Sequence, residues 1–203
     1  MYQKYVKRFL DILLSSIALI VASPLFLLLS VWIKLDSKGP VFFRQKRIGV
    51  HRTTFEILKF RSMRTDTPHD LATHLLNNPD QWITRAGHFL RKTSLDELPQ
   101  LINIFRGEMS IIGPRPALWN QYDLIELREA YGANDVVPGL TGWAQINGRD
   151  TITNEEKARL DGEYASKISF LMDLKCLFRT VAVVLKKEGY EEGAGGSSSS
   201  EQK

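Results

Sequence analysis

Two adjacent carboxylates, Asp96 and Glu97, lie in the densest run of chemically useful side chains in this sequence, TSLDELPQ at residues 93–100. Such a pair can divide the work of phosphoryl transfer, because one carboxylate can attack phosphorus while the other holds a magnesium ion that neutralises phosphate oxygens. A structural interpretation competes with this one: Ser94 and Glu97 match a capping box, and carboxylates suit the first turn of a helix. The run alone therefore leaves catalysis and helix capping both open.

Cationic side chains that could bind a diphosphate lie on both sides of the acid pair. Arg91 precedes it, and Arg115 follows it in a Gly-Pro-Arg-Pro run. Lys59 and Arg61 lie at the end of a strand-like run and directly after it, where a basic edge facing solvent or lipid is the alternative. Since the planar fork of arginine matches phosphate oxygens, these positions favour a site for a phosphorylated substrate.

A third group, PGLTGWAQINGRD at residues 138–150, combines three glycines with Gln145 and Arg149. Glycines are common in ordinary turns, which is the alternative, but few turns need both side-chain amides and an arginine. We predict that Gln145 and Arg149 help to form a pocket for a nucleobase and its phosphates.

Other kinds of chemistry have little support in the sequence. A single cysteine, Cys176, excludes an internal disulfide framework and any multi-cysteine zinc or iron–sulfur site, and its place in an apolar helical stripe predicts a small core residue. Four histidines are scattered without ligand spacing, and even the pair His69 and His74 gives only weak support for a metal site.

The elements that must position these residues begin with an uncharged stretch of 22 residues, 12–33. At about 1.5 Å of rise per residue, this stretch could cross a hydrocarbon core of about 30 Å. Ser23 and Pro24 lie near its middle, where proline leaves the carbonyl of Ile20 without its backbone partner and the Ser23 hydroxyl can replace part of that bond. We predict a membrane-embedded segment over residues 1–36.

The topology of that segment has two solutions. Basic residues flank both ends: Lys4, Lys7 and Arg8 come before the stretch, and Lys34, Lys38, Arg44, Lys46 and Arg47 come after it. Lysine and arginine near segment ends tend to stay in the cytoplasm. A helix–break–helix that turns at Ser23–Pro24 and returns keeps both flanks inside, whereas a straight span with a tolerated proline pushes one flank across. The residues by themselves leave re-entry and spanning open.

After the membrane segment we expect a small, mostly helical α+β domain over residues 37–188 with a short β-hairpin. The hairpin joins residues 40–45 to 54–60, and helices are predicted over 82–92, 94–105, 119–131 and 164–187. We expect the apolar stripe of the last helix to pack mainly on the core. Residues 65–79 are typical of a mobile surface stretch, and the Gly/Ser-rich segment 189–203 is interpreted as a disordered tail.

The distribution of charge narrows the class of partner. Residues 1–64 contain 12 Lys and Arg but 3 Asp and Glu, a balance of +9, whereas the remaining 15 cations and 20 anions give −5. This asymmetry indicates a partner with negative charge, either nucleic acid or anionic lipid. Because the cations flank an apolar segment, lipid is favoured and no nucleic-acid partner is expected. A scaffold protein without enzymatic activity remains an alternative, and it would need neither the acid pair nor magnesium.

Taken together, several of these runs resemble the signature blocks of the bacterial sugar transferases, the monotopic phosphoglycosyl transferases. The matching blocks, in the family's order, are KFRSM, ITRAGHFLRKTSLDELPQLINIFRGEMSIIGPRP and PGLTGWAQINGRD. The N-terminal run KRFLDILLSSIALIVASPLFLLLSVWI is similar to the family's membrane segment. The resemblance extends from about Lys7 to Gly189 and is to the small form of the family, of the undecaprenyl phosphate diacetylbacillosamine 1-phosphate transferase type.

The resemblance implies a specific reaction. The family moves a sugar 1-phosphate from a UDP-sugar to undecaprenyl phosphate on the cytoplasmic face of the bacterial inner membrane, an early step of glycoconjugate assembly, and releases UMP. It implies that Asp96 attacks the β-phosphate and carries a covalent phosphosugar, that Glu97 binds Mg²⁺, and that downstream glycosyltransferases are further partners. It also implies a re-entrant segment broken at Ser23–Pro24, and substrate contacts among Lys59, Arg61, Arg91, Arg115, Gln145 and Arg149.

Overall fold

The computed structural model describes residues 1–68, 78–148 and 152–186. A π-helical turn, Tyr2–Val6, leads into helix α1 (Lys7–Asp36), which is followed by strands β1 (Phe42–Ile48) and β2 (Thr54–Phe60). The later elements are α2 (Arg85–Lys92), α3 (Gln100–Arg106), β3 (Ser110–Ile112), α4 (Tyr122–Ala130), β4 (Gly139–Thr141), α5 (Trp143–Ile146), α6 (Asn154–Ser166) and α7 (Phe170–Lys186). This order confirms the α+β class with a long apolar N-terminal helix and a short hairpin. His69, His74, Arg149 and the tail at 189–203 lie outside the described residues.

Helix α1 contains the uncharged stretch and, among the described residues, is the one helix long and apolar enough to cross a membrane. Helical conformation continues through Pro24, so the break expected at Ser23–Pro24 does not interrupt the helix. The Ser23 hydroxyl donates to the carbonyl oxygen of Ile20 at 2.8 Å, as predicted. Ile20 and Val21 are each 73% exposed. Water would penalise so much exposed apolar surface, so the middle of α1 suits a hydrocarbon environment.

The first turns of α1 are fixed to the folded domain by polar contacts. Arg8 donates to the carbonyl oxygens of Ile104 and Phe105 at 2.6 and 2.8 Å, at the end of α3. A carboxylate oxygen of Asp11 accepts from the backbone N–H of Ile111 at 2.9 Å. The N-terminal end of the apolar helix therefore lies against α3 and β3.

The last turns of α1 pack on another part of the same domain. Leu29 and Ile33 are buried in a cluster with Phe60 and Leu90, which joins α1 to β2 and α2. Asp36, the final residue of the helix, accepts from the backbone N–H of Ala86 in the first turn of α2 at 3.1 Å. Both ends of α1 thus rest on one domain while its middle stays exposed.

Helix α3 packs against the β1–β2 hairpin. Strands β1 and β2 are antiparallel, with Phe43 opposite Lys59 and Arg47 opposite Phe55. The buried Asn103 of α3 joins this sheet, because its side chain accepts from the N–H of Leu58 at 2.9 Å and donates to the carbonyl of Glu56 at 2.8 Å. These bonds fix α3, and the turn before it, over the end of β2.

A second, parallel pair was not predicted from the sequence. Strands β3 and β4 pair with Ser110 opposite Gly139 and Ile112 opposite Thr141. The chain between them contains Arg115 and α4. The pair therefore brings the Gly-Pro-Arg-Pro run next to the start of the 138–150 segment.

The helix predictions were only partly right. The helix expected over 119–131 is confirmed as α4, and the one over 82–92 is a short 3₁₀ turn followed by α2. The helix expected over 164–187 is confirmed as α7, but it begins later than predicted, at Phe170. The first predicted residues belong to a separate helix, α6, which was not predicted.

The apolar stripe of α7 is also not a core face. Cys176 is buried as predicted, and burial raises the pKa of its thiol to about 11. Leu171 and Phe178, in contrast, are 75% and 66% exposed. The expectation that the stripe packs mainly on the core is therefore wrong.

Candidate active site

The two adjacent carboxylates lie on a short 3₁₀ turn, Leu95–Glu97, between α2 and α3. Ser94 before them has φ = 56°, a left-handed conformation that few residues other than glycine adopt. Its side chain makes no capping hydrogen bond, and α3 begins only after Pro99. The helix-capping interpretation of Ser94 and Glu97 is therefore wrong, and the continuous helix expected over 94–105 is replaced by a turn and a helix that ends, as expected, at Gly107.

Glu97 is held by two cations from distant parts of the chain. Lys59, near the end of β2, and Arg115, in the loop after β3, each place a nitrogen 2.9 Å from its Oε1 atom. Burial alone would raise the pKa of Glu97, but the charges of Lys59 and Arg115 and the hydrogen bonds they donate lower that pKa well below its usual range. Glu97 is therefore an ionised, fixed carboxylate at neutral pH.

Asp96 has a different environment although it is the next residue. Its Oδ2 atom lies 3.9 Å from Lys59 Nζ, and its side chain is 13% exposed. Burial raises the pKa of Asp96, and the negative charge of Glu97 adds to that rise. The positive charges of Lys59, Arg91 and Arg115 oppose it. Asp96 is thus the more basic and the less tightly bound of the two carboxylates.

The structure brings some of the candidate substrate-binding residues together and separates others. Lys59, Arg91 and Arg115 surround the acid pair. Arg61 does not join them, because its guanidinium donates to the carbonyls of Ser37, at 2.8 Å, and Lys38. Its contacts instead tie the C-terminal end of α1 to the hairpin.

The glycines of the 138–150 segment have a packing role. A Cβ atom on Gly139 or Gly142 would come within 2.1 Å of the backbone of Gly113, so the segment can approach β3 only because both positions lack side chains. The Gln145 side-chain amide donates to the carbonyl of Leu140, five residues earlier, at 3.2 Å. Its Oε1 atom is buried without a partner in the described part of the chain. The nucleobase pocket stays a prediction, since Arg149 lies outside the described residues.

One further cation near the acid pair was assigned from the sequence only to the basic flank of the membrane segment. Arg47 lies on the same face of the hairpin as Lys59, because residues 43, 45 and 47 alternate along β1 and Lys59 pairs with Phe43. Burial and the charge of Arg115 lower the pKa of Arg47 to about 9, while Glu97 opposes the shift. Arg47 therefore remains charged at neutral pH, and the alternation along β1 was the signal that could have located it.

The carboxylates at the acid pair can be compared with the ligands that magnesium usually has in proteins. No cluster of three or more His, Cys, Asp or Glu side chains that could enclose a metal occurs in residues 1–68, 78–148 or 152–186. Magnesium commonly binds one or two carboxylates together with substrate phosphates and water. The adjacent carboxylates of Asp96 and Glu97 fit that shared kind of site and do not fit a cage built by the protein alone.

Known proteins that are similar to this chain include several sugar transferases. The family model for bacterial sugar transferases matches residues 2–187. The chain is 41% identical over 187 residues to the uncharacterized sugar transferase EpsL of Bacillus subtilis, covering 92% of this chain and 90% of that protein. It is 38% identical over 197 residues to the exopolysaccharide production protein ExoY of Sinorhizobium fredii, covering 90% and 87%.

A third relative is a longer protein. The chain is 42% identical over 185 residues to the UDP-glucose:undecaprenyl-phosphate glucose-1-phosphate transferase of Escherichia coli, covering 88% of this chain but 40% of that enzyme. The family match over nearly the whole chain, and the full-length similarity to EpsL and ExoY, place the two carboxylates in a sugar transferase domain. This chain belongs to the bacterial sugar transferase family.

Proposed function

We propose that this enzyme moves a sugar 1-phosphate from a UDP-sugar to undecaprenyl phosphate on the cytoplasmic face of the bacterial inner membrane and releases UMP. The observation that carries the proposal is the asymmetry of the acid pair. Glu97 is ion-paired twice at 2.9 Å, whereas Asp96 lies 3.9 Å from Lys59 and has a raised pKa. The reaction for which the Escherichia coli relative is named supports the same chemistry.

The reaction proceeds in two displacements at one phosphorus atom. An oxygen of the Asp96 carboxylate attacks the β-phosphorus of the donor, the bond from that phosphorus to the bridging oxygen breaks, and its electron pair leaves with UMP. The phosphosugar is then held as an acyl phosphate on Asp96. A phosphate oxygen of undecaprenyl phosphate attacks the same phosphorus, and Asp96 is released as a carboxylate. Each step makes and breaks one phosphorus–oxygen bond, so no further reactant is needed.

The surrounding cations fit this reaction. Lys59, Arg91 and Arg115 offset the negative charge of the UDP-sugar diphosphate. They also stabilise the charge that develops on the phosphate oxygens in the transition state. Arg115 is 40% exposed, so its guanidinium is accessible to a ligand. Glu97 keeps Lys59 and Arg115 next to Asp96.

Magnesium is the cofactor proposed for this site. Glu97 would hold the ion together with the phosphates of the UDP-sugar, since magnesium commonly binds one or two carboxylates and substrate phosphates. A bound magnesium ion supplies positive charge that neutralises the phosphate oxygens.

The membrane helix fits a lipid acceptor. Both ends of α1 contact the catalytic domain, through Arg8 and Asp11 at one end and Ile33 and Asp36 at the other. A helix fixed at both ends to one domain, with an exposed apolar middle, supports entry into the membrane from one face only. The polyprenol tail then lies in lipid while its phosphate lies at headgroup level, where the domain is held. Glycosyltransferases that extend the product would act at the same surface.

The reaction is tested with the full chain in nanodiscs, magnesium, undecaprenyl phosphate and a panel of UDP-sugars that includes UDP-glucose. We expect UMP release that needs both the donor and the acceptor. Intact-mass measurement after incubation with donor alone should show a phosphosugar adduct that is absent from Asp96→Asn. Folded enzyme that releases no UMP with any donor would overturn the proposed reaction, and turnover without an adduct would overturn the covalent step.

The membrane topology is tested separately by cysteine labelling. Lys4→Cys and Lys38→Cys, each in the full chain with its buried Cys176, are treated with an impermeant maleimide in inverted and right-side-out vesicles. Re-entry predicts labelling of both positions in inverted vesicles alone. Labelling of one position in each vesicle type would show that α1 spans the membrane.

A further inference from the structure

The loop that contains Arg115 has few backbone N–H groups with which to stabilise its own conformation. Pro114 and Pro116 flank Arg115 and lack backbone N–H groups, so the loop has few donors for its own carbonyls. Arg115 must nevertheless place its guanidinium 2.9 Å from Glu97. The donors that fix the loop therefore have to come from other elements.

The carbonyl of Arg115 itself is held by a buried arginine of α4. Arg128 donates to it at 2.9 Å. The same guanidinium donates twice to Asp161 of α6, at 2.9 and 2.6 Å, and the two side chains are 8% and 1% exposed. The ion pair with Asp161 compensates the buried charge of Arg128. Its Nη2 atom donates both to Asp161 and to the loop carbonyl, so one nitrogen joins the ion pair to the loop.

The next carbonyl along the chain, that of Pro116, is held by Arg47 of β1. Arg47 donates to the carbonyl of Pro116 at 3.0 Å and to the side chain of Gln45 at 2.7 Å. The N–H of Ile48 donates to the carbonyl of Ala117 at 3.0 Å, which continues the attachment. Among the described residues no carboxylate lies within ion-pair distance of Arg47, so its main polar contact outside β1 is the loop.

We infer that Arg47 and Arg128 are positioning residues, which hold the consecutive carbonyls of Pro116 and Arg115 and thereby direct the Arg115 guanidinium to Glu97 and the donor phosphates. This inference rests on the proposed function for its catalytic consequence. In the described part of the chain, neither arginine forms a hydrogen bond or an ion pair with Asp96 or Glu97. Their effect on the reaction passes through Arg115, and the two residues have no separate role in chemistry.

A double-mutant cycle tests whether Arg47 acts through Arg115. We expect Arg115→Ala to lower kcat/KM about 100-fold, because it removes a charge that stabilises the transition state. Arg47→Gln should lower it roughly tenfold, since small displacements of a catalytic group are costly. The double variant should lie within about twofold of Arg115→Ala alone, because two residues that act as a unit are not additive.

Matched variants separate this effect from loss of charge or of stability. Arg44→Gln removes a cation from the same strand, where Arg44 is 66% exposed in an ion pair with Glu56, and should leave kcat/KM unchanged. Arg128→Lys keeps a cation opposite Asp161 but loses the planar fork that also reaches the loop, so it should reproduce the loss seen in Arg47→Gln. Arg47→Lys, which can still donate one bond to Pro116, should recover part of the activity.

Hydrogen–deuterium exchange supplies a readout that does not depend on turnover. In Arg47→Gln and Arg128→Lys the amides of residues 111–120 should exchange faster than in the unsubstituted chain, while those of α2 and α3 do not change. Unchanged exchange in this loop, or losses of kcat/KM that multiply in the double variant, would overturn the inference. If the unsubstituted chain transfers no sugar phosphate, the proposed function fails, and the exchange result alone still decides whether the two arginines hold the loop.

Discussion

Two charged clusters join distant parts of this chain, and they are built differently. In the first, which we call the Asp173 cluster, the Asp173 carboxylate accepts from Lys7 and Tyr2 on one oxygen and from Tyr164 on the other, all at 2.6 Å. Lys7 and Asp173 have side chains that are 8% and 10% exposed. This cluster is closed to solvent, and its carboxylate is well supplied with donors.

The second cluster, around the acid pair, has positive charge in excess. Two carboxylates meet three cations, Lys59, Arg91 and Arg115. The Arg115 side chain is 40% exposed, so the cluster is open on one side. A balanced and closed cluster stabilises a fold, whereas an open one with surplus cations is suited to an anionic ligand.

The largest effect that separates the two clusters is expected from Asp96→Asn. The amide has nearly the same shape but is a far weaker nucleophile, so kcat should fall by on the order of 10³ or more. Because burial raises the pKa of Asp96, its charged form is disfavoured in the fold, and the free energy of unfolding should stay constant or rise. Steady-state UMP release and chemical denaturation measure the two quantities.

Asp123→Asn is the matched control, since Asp123 is exposed in the first turn of α4. It should leave turnover intact. Asp96→Asn with more than a tenth of normal turnover would remove the distinction between the clusters.

The second effect is expected from Asp173→Asn and should have the opposite character. Removing the carboxylate leaves Lys7 buried without its counter-charge, which typically costs about 3–5 kcal/mol. Tyr2→Phe, which removes one donor from the same carboxylate, should cost roughly 1 kcal/mol. Chemical denaturation in detergent measures both, and kcat of the folded fraction should change far less than in Asp96→Asn. Equal losses of stability in the two variants would contradict the view of a closed ion pair.

Much of the fold and the centre of the site could be predicted from local pattern. The strand-like runs, the helix over 119–131 and the uncharged stretch depend on side-chain periodicity or composition, which the sequence displays directly. Asp96 and Glu97 could be found because two carboxylates in sequence stay neighbours in any fold. The parallel β3–β4 pair depends on contacts between remote segments, and no local pattern reveals it.

The positions of the cations also depend on contacts between remote segments that local pattern does not reveal. Lys59 and Arg61 are two residues apart, and a continuing strand would place both on one face. Strand β2 ends at Phe60, so Arg61 is directed to the end of α1 and away from the acid pair. Arg47 was assigned to the membrane flank, because the register that places it beside Lys59 is set by the turn between the strands.

A third prediction concerns pH and the charges around Asp96. Attack requires the carboxylate, and burial raises its pKa, so kcat/KM should decline on the acid side at a higher pH than for an ordinary aspartate. Lys59 opposes that rise, so Lys59→Met should move the acid limb to still higher pH in addition to lowering the rate. Lys46→Met removes a cation from an exposed position of β1 and should leave the limb in place. An acid limb that is unmoved or shifted downward in Lys59→Met would contradict the assignment of the limb to Asp96.

The smallest effect is expected in the membrane helix, where two serines make similar bonds in different circumstances. Ser23 donates to the carbonyl of Ile20 at 2.8 Å, and Ser16 donates to that of Ile12 at 2.6 Å. The Ile20 carbonyl would normally pair with the N–H of residue 24, which is proline, whereas Ile12 can still pair with the N–H of Ser16. Ser23→Ala should therefore lower the free energy of unfolding in detergent by about 1 kcal/mol, and Ser16→Ala by much less. Equal effects of the two substitutions would mean that the carbonyl freed by Pro24 is satisfied in some other way, and that the serine–proline pair does not define a special point in α1.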